Sequence, residues 1–234
     1  MGKKKIKLHI GCGNVYKKGY INIDSYNLTK ADLKADAAKL PYKDNSADRI
    51  ENYHLLEHLD RNERDLALKE WFRVLKPKGK LLIEVPDLVR NMEIFLKFSY
   101  QERWEQYRNE FKHGRIQTIY GLGEIKGQLH KTGYDKERLK RLLQDHGFIK
   151  IKVFSKKGTT IKGESIIGIC EKPAGFIKLK KDRVNEKLPL QNQNKYEDLS
   201  KNYFRMSLKK LKTWSVYSLR YIADLIEELK FPKI

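Results

Sequence analysis

The chain has 234 residues, 40% of them hydrophobic and 34% charged, and its 50 Lys and Arg against 30 Asp and Glu give a formal net charge of +20. That length and apolar content allow one core domain plus an appendage, and the charge favours an acidic partner, whether nucleic acid, anionic lipid or anionic glycan. The two cysteines, Cys12 and Cys170, lie outside any CxxC or Cys/His spacing, which excludes a disulfide framework and a zinc ribbon, and no apolar run approaches the ~20 residues of a membrane span. A reducing, cytoplasmic setting is expected. Lys3-Lys4-Lys5 has the charge of a signal-peptide start, but His9 and the glycines after it interrupt the apolar run that should follow.

In chain order, Leu8-His9-Ile10 predicts the end of a buried strand that runs into Gly11-Cys12-Gly13. Without a Cβ the backbone turns sharply and a ligand can come close, so a strand followed by Gly-x-Gly has the form of a nucleotide-type cradle. Tyr20 to Ile23 predicts a second strand ending at Asp24, whose carboxylate can accept from both hydroxyls of a ribose. Asp32 to Asp36 predicts a short third strand, and Ala47 to Tyr53 a fourth. Asp60 is expected to cap a helix, with Glu63 in capping-box position, and Lys76-Pro77-Lys78-Gly79 to stop it. A strand over Lys80 to Val85 ends at Pro86-Asp87.

Residues 88–112 read as helical with Trp104, Tyr107 and Phe111 as packing positions, and residues 113–134 as glycine-rich and irregular. Asp135 should cap a helix carrying Leu139, Leu142 and Leu143 and closed by Gly147. A pair of strands, Lys150 to Phe154 and Glu164 to Cys170, completes a mostly parallel α/β sheet with one antiparallel strand. The first domain is expected over 1–172. Residues 173–234 form a basic linker and an amphipathic helical extension, in which Phe204, Leu208, Leu211, Trp214, Leu219, Ile222, Leu225 and Leu229 share helical spacing. Packing on the domain or on a second subunit is the plainer use of that extension. Lys209, Lys210 and Lys212 beside Trp214 suggest instead peripheral contact of 198–234 with an anionic membrane surface, against which Glu227 and Glu228 argue.

His54-Leu55-Leu56-Glu57-His58 fits the H-x-x-E-H zinc pattern, with Glu124, Glu137 or His130 available as a third ligand. That pattern needs a long helix. Here it follows a strand and ends just before Asp60 starts a new helix, so no metal is expected and His58 is read as a structural residue. A histidine is also suited to general-base work, its unperturbed pKa being about 6.5. His130 is the first candidate base, in the loop before the Asp135 helix, and His54 the second.

Together GCG, Asp24, DAAKLPYKDNSADRI, HLLEHL and RVLKPKGKLLIEVPD resemble the class I S-adenosylmethionine-dependent methyltransferases, and within them the small group with a reduced first helix, often proposed to modify surface glycans. The resemblance covers Lys7 to about Lys172 and implies a Rossmann-like fold with S-adenosyl-L-methionine as cofactor. It implies that Gly11, Cys12 and Gly13 lie under the methionine part. Asp24 would take the ribose, Asp36 and Ala37 would meet the adenine, Tyr53 and His54 would line the sulfonium side, and Asp87 would open toward the acceptor. Tyr16 and Tyr20 could cover the cofactor where the helix is reduced. Two departures stand out: His9 replaces the acid usual two residues before the first glycine, and the third motif glycine is missing. The expected reaction is methyl transfer to an oxygen or nitrogen of a glycan or small molecule. An RNA methyltransferase or RNA-binding protein rests on charge alone, with no RNA-recognition motif, and a binding protein that has lost transfer is the third reading.

Overall fold

Short runs buried over consecutive residues make a seven-stranded sheet, in the computed structural model, which describes residues 5–26, 30–108, 115–121, 127–157 and 164–175. The strands are β1 (Lys7–Ile10), β2 (Ile21–Asp24), β3 (Leu33–Lys34), β4 (Ala47–Tyr53), β5 (Leu75–Pro86), β6 (Ile149–Lys157) and β7 (Glu164–Glu171). Their order is β3-β2-β1-β4-β5-β7-β6. β1 to β5 pair in parallel, and β7 runs antiparallel to both β5 and β6. This is the Rossmann-like architecture expected. The strand order reverses at β1, so the carboxyl ends of β1, β2 and β4 open on one crevice, the usual place for a ligand in such sheets.

The helices are α1 (Arg61–Val74), α2 (Leu88–Lys97), α3 (Tyr100–Arg108), α4 (Arg115–Tyr120) and α5 (Lys136–Asp145). α1 starts on the expected capping box: Asp60 accepts from the N–H groups of Asn62 and Glu63, and Glu63 accepts from the Asp60 N–H at 2.8 Å. Such a cap stabilises a helix by about 1 kcal/mol. α1 lays Ala67, Leu68, Trp71 and Val74 into the core against Leu8, Ile10, Ile50 and Leu81 of the sheet. The fully buried Trp71 donates its indole N–H to the Ala37 carbonyl at 2.9 Å, which fixes the loop after β3. α5 begins at the Asp135 cap, buries Leu139, Leu142 and Leu143, and ends before Gly147 at φ +83°.

Four expectations change. β3 stops at Lys34, because Asp36 turns to accept from the Ala38 N–H and bridges to Lys39. β5 begins at Leu75, since the chain leaves α1 directly into the sheet, where Leu75 pairs with Ala47 ahead of a bulge beside β4. Residues 113–134, expected to be irregular, contain the short helix α4. Trp104 is half exposed and is not a core residue. Tyr107, Phe111 and the extension over 176–234 lie outside the described residues or side chains. Among the described residues no helix is long and apolar enough to cross a membrane.

Candidate functional site

The crevice at the strand ends is a cleft of about 500 Å³, within the range of small-molecule sites. Gly11, Cys12, Gly13, Asp24, Asp36, Ala37, Tyr53 and His54 all line it, so the structure gathers the whole set expected at the cofactor. His9, Val15, Tyr26, His58 and Gln128 line it as well. His130 and Asp87 do not. Tyr16 and Tyr20 turn elsewhere, their hydroxyls donating to Asp32 and Glu51, and Val15 and Tyr26 stand on the wall in their place.

At one end the backbone does most of the shaping. The Gly11 and Cys12 N–H groups both donate to the Ile23 carbonyl, at 2.8 and 3.1 Å, folding the loop back on β2. Gly11 sits at φ +68°, and a Cβ there would stand 2.8 Å from Leu55 Cδ2. Asp24 is nearly buried; its Oδ2 accepts from the Gly13 N–H at 2.8 Å and its Oδ1 from the Tyr26 N–H at 3.0 Å. Each oxygen keeps a lone pair, and the residue lines the cleft.

No helix separates β1 from β2, and the loop between them is pinned from the side. Lys17 reaches the buried Glu51 carboxylate and, at 2.6 Å, the Tyr53 hydroxyl; its own N–H donates to Asn22 Oδ1. Glu51 also takes Tyr20, Tyr53 and Arg49. Burial works against the ionised Glu51 carboxyl, but Lys17, Tyr53 and Tyr20 overcome it and hold the pKa down at about 2. His9, beside Glu51 in register, is buried, donates Nδ1–H to Asn22 Oδ1 at 2.9 Å, and meets the Tyr53 ring edge-on. Burial lowers its pKa, so it stands neutral with Nε2 as an acceptor.

The other end is built from side chains. His54 follows β4 at φ +53°, a left-handed conformation that costs a non-glycine residue roughly 1–2 kcal/mol, and its N–H donates to the Glu84 carbonyl at 2.8 Å. Its ring lies between two carboxyl groups, Nδ1 3.1 Å from Glu57 Oε1 and Nε2 3.4 Å from Glu84 Oε1. Burial pulls the imidazole pKa down, but Glu57 and then Glu84 carry it up to about 9. His54 is therefore a cation near neutral pH and donates protons rather than taking them.

Glu57 is 1% exposed, and its Oε2 is buried with no hydrogen-bond partner. It lies in a single 3-10 turn, Leu56–His58, not a long helix, so His54 and His58 do not present one face. The Lys131 and Thr132 N–H groups both donate to the Glu57 carbonyl, at 2.8 and 3.1 Å, drawing the loop before α5 onto this turn. His130 arrives with that loop: its ring is 4.9 Å from that of His58, and its Nε2 is 4.0 Å from Glu57 Oε1. Burial lowers its pKa. Of the other candidate ligands, Glu137 pairs with Arg141 on the exposed face of α5, and Glu124 is outside the described residues. Asp87 caps α2, accepting from the Arg90 N–H at 3.0 Å.

S-adenosylmethionine fits the residues present: a glycine loop that a Cβ at Gly11 would obstruct, a carboxylate with spare lone pairs for a ribose, and a neutral imidazole acceptor at His9. Glu51, Lys17 and His9 are the site-shaping residues that sequence reasoning passed over or counted as a defect. Their one signal is the acid Glu51 between Ile50 and Tyr53 in β4.

Residues 8–83 match the family model described as a methyltransferase domain. An uncharacterized protein of Haemophilus influenzae is 38% identical over 80 residues, 33% of this chain and 32% of its own length, so the chain spans about a third of the curated relative it matches. A chain in the complex between the Haloferax volcanii Trm112 methyltransferase activator and a methyltransferase is similar in fold, with TM-score 0.51 and 15% identity over 76% of this chain and 86% of that one. A S-adenosylmethionine-dependent methyltransferase structure from Methanosarcina mazei gives TM-score 0.48 and 20% identity over 75% of this chain and 95% of that one.

Proposed function

From the premise that residues 8–83 are a methyltransferase domain of the class I, S-adenosylmethionine-dependent kind, we propose that the protein transfers a methyl group from S-adenosylmethionine to an oxygen or nitrogen of a glycan or small molecule. The observation that carries this reading is the convergence of Gly11, Gly13, Asp24, Asp36, Ala37, Tyr53 and His54 on one cleft at the strand ends. The cofactor supplies a sulfonium that is already a good leaving group, and the protein contributes alignment.

In this reading Asp24 holds the ribose hydroxyls, Gly11 to Gly13 bring backbone against the methionine part, and Asp36 with Ala37 meets the adenine. His9 takes the role of the usual acid, its free Nε2 accepting from the methionine ammonium. The absence of a helix between β1 and β2 supports the narrower likeness to the reduced-helix group, and with it a glycan acceptor. The acceptor end is the His54–Glu57–His58 side. His54 there is a charged positioning group. Asp87 caps α2 instead of facing the cleft, and His130 stands behind His58. The residues 1–172 are assigned to this domain, a cytoplasmic setting is retained, and 173–234 keeps its reading as a separate basic extension.

Calorimetry with S-adenosylmethionine and S-adenosylhomocysteine tests the proposal. Binding of both, weakened in Asp24→Ala, is expected. No binding of either by folded protein would leave only the fold.

A further inference from the structure

The cluster behind the acceptor end is not absorbed by methyl transfer. Glu57, His58 and His130 place one ligand atom each within 4.8 Å of one another. The bonding pattern of each residue leaves an acceptor atom, and Glu57 Oε1 lies 4.0 Å from His130 Nε2. His58 Nδ1 donates to the Leu129 carbonyl at 3.1 Å, and His130 Nδ1 to the Ile119 carbonyl at 3.2 Å. In the neutral rings these bonds fix the tautomer whose Nε2 carries a lone pair, the arrangement that second-sphere carbonyls impose on metal-binding histidines. Glu57 Oε1 is held by His54, and Oε2 is buried without a partner. His54 answers the Glu57 charge at Oε1, but the buried Oε2 has no donor, which is costly until one joins it.

The surrounding backbone is committed to this placement. Gly121 sits at φ +78° in a bridge with Leu129, and a Cβ there would fall 2.0 Å from the Gln128 carbonyl and 2.9 Å from His130 Cδ2. Lys131 and Thr132 tie the same loop to the Glu57 carbonyl. His130 is 7% exposed at its side chain, so its position is set by packing and not by solvent.

We propose that Glu57, His58 and His130 form a binding site for one divalent transition-metal cation of the zinc class. Two imidazole nitrogens and one carboxylate are the donor set of an open three-ligand site, which keeps further coordination positions for water or another ligand. Ligand atoms round a tetrahedral zinc stand about 3.3 Å apart, so those now within 4.8 Å draw together by up to about 1.5 Å when the ion enters. His58 is the one of the three that lines the cleft, so the site opens there, toward an oxygen-bearing ligand. His54 positions Glu57 from behind and is not a ligand.

The test is titration of metal-free full-length protein with Co²⁺, read by its visible absorption, and with Zn²⁺ in competition against a chromophoric chelator. One equivalent bound at micromolar affinity or tighter is expected, with affinity falling roughly hundredfold in His130→Ala and His58→Gln and at least tenfold in Glu57→Gln. Thermal melts followed by circular dichroism establish which variants fold. His58 is only partly buried, so His58→Gln decides the matter if His130→Ala does not fold. No binding by the parent protein at roughly 100 μM metal, or equal binding by parent and His58→Gln, overturns the site. The titration is made without S-adenosylmethionine, so its failure is separate from failure of the methyltransferase reading, which calorimetry with S-adenosylhomocysteine decides on the same metal-free protein.

Discussion

Two carboxyl groups, Asp24 on the wall of the cleft and Glu57 next to the lining residues His54 and His58, are finished differently. Asp24 has both oxygens on backbone N–H groups, those of Gly13 and Tyr26, and both donors lie within a short stretch of chain. Glu57 has one oxygen on His54 and the other bare, and its neighbours His58 and His130 are gathered by a loop far along the sequence. A carboxylate anchored by backbone is pre-organised before any ligand arrives. A carboxylate left with a bare buried oxygen is strained by desolvation until a cation or donor joins it. The first end suits a constant partner, the cofactor. The second suits an ion or a reacting group.

The sharpest way to break this contrast is to disturb one end alone. Gly121→Ala forces a Cβ onto the Gln128 carbonyl at a positive φ, so it should cost about 2–4 kcal/mol from backbone strain and overpacking. Urea denaturation measures the loss, and S-adenosylhomocysteine affinity of the folded fraction should stay near that of the parent. A matched fall in affinity would show that the two ends are one unit.

Acid should loosen the β1–β2 loop that Glu51 holds through Lys17. Glu51 is ionised in the fold with a pKa of about 2, below its ordinary 4.5. A depressed carboxyl contributes stability that is present above its unfolded pKa and is lost as pH falls through the folded one. The contribution, roughly 2–3 kcal/mol, should therefore be intact at pH 5 and above and shrink between about pH 4.5 and 2. In Glu51→Gln that limb of the stability profile should flatten, and an unchanged acid limb would remove Glu51 as its cause.

Asp24→Ala leaves the ribose without its charged acceptor. A charge-assisted hydrogen bond is worth about 1.5–3 kcal/mol, so cofactor affinity should fall roughly ten- to hundredfold. Metal binding at Glu57 should not change. Unaltered affinity for S-adenosylhomocysteine in folded Asp24→Ala would detach Asp24 from the cofactor. The smallest effect is expected away from both ends: Trp104, half exposed on α3, should tolerate alanine within about 0.5 kcal/mol of stability.

The same contrast explains what could be read in advance. Gly11, Gly13 and Asp24 are close in sequence, their turn chemistry is local, and strand periodicity alone places them at the carboxyl ends of β1 and β2. The capping box at Asp60 and the stop at Gly147 are local in the same way. Glu57 and His130 are not. Leu129 and His58, whose bond helps bring the cluster together, are 71 positions apart, and α4 and the Gly121 bridge that carry the loop there leave little periodic trace. The H-x-x-E-H spacing would set His54 and His58 on one face only in a helix, and here the backbone turns left-handed at His54 and tightens to a 3-10 turn. Trp104 fails for a simpler reason: helical spacing gives a face, but not whether anything packs on it.

The Glu57 carbonyl accepts from two successive amides, Lys131 and Thr132, and that has a consequence for motion. Any swing of the 127–134 loop that lets an acceptor in or a product out must release both protons to solvent together. Their exchange with deuterium is then a direct clock for opening of that end. The Gly13 amide, held by Asp24, keeps time for the other end. If the two ends open independently, ligand bound at Asp24 should slow exchange at Gly13 and leave the clock at Lys131 and Thr132 running at its own rate.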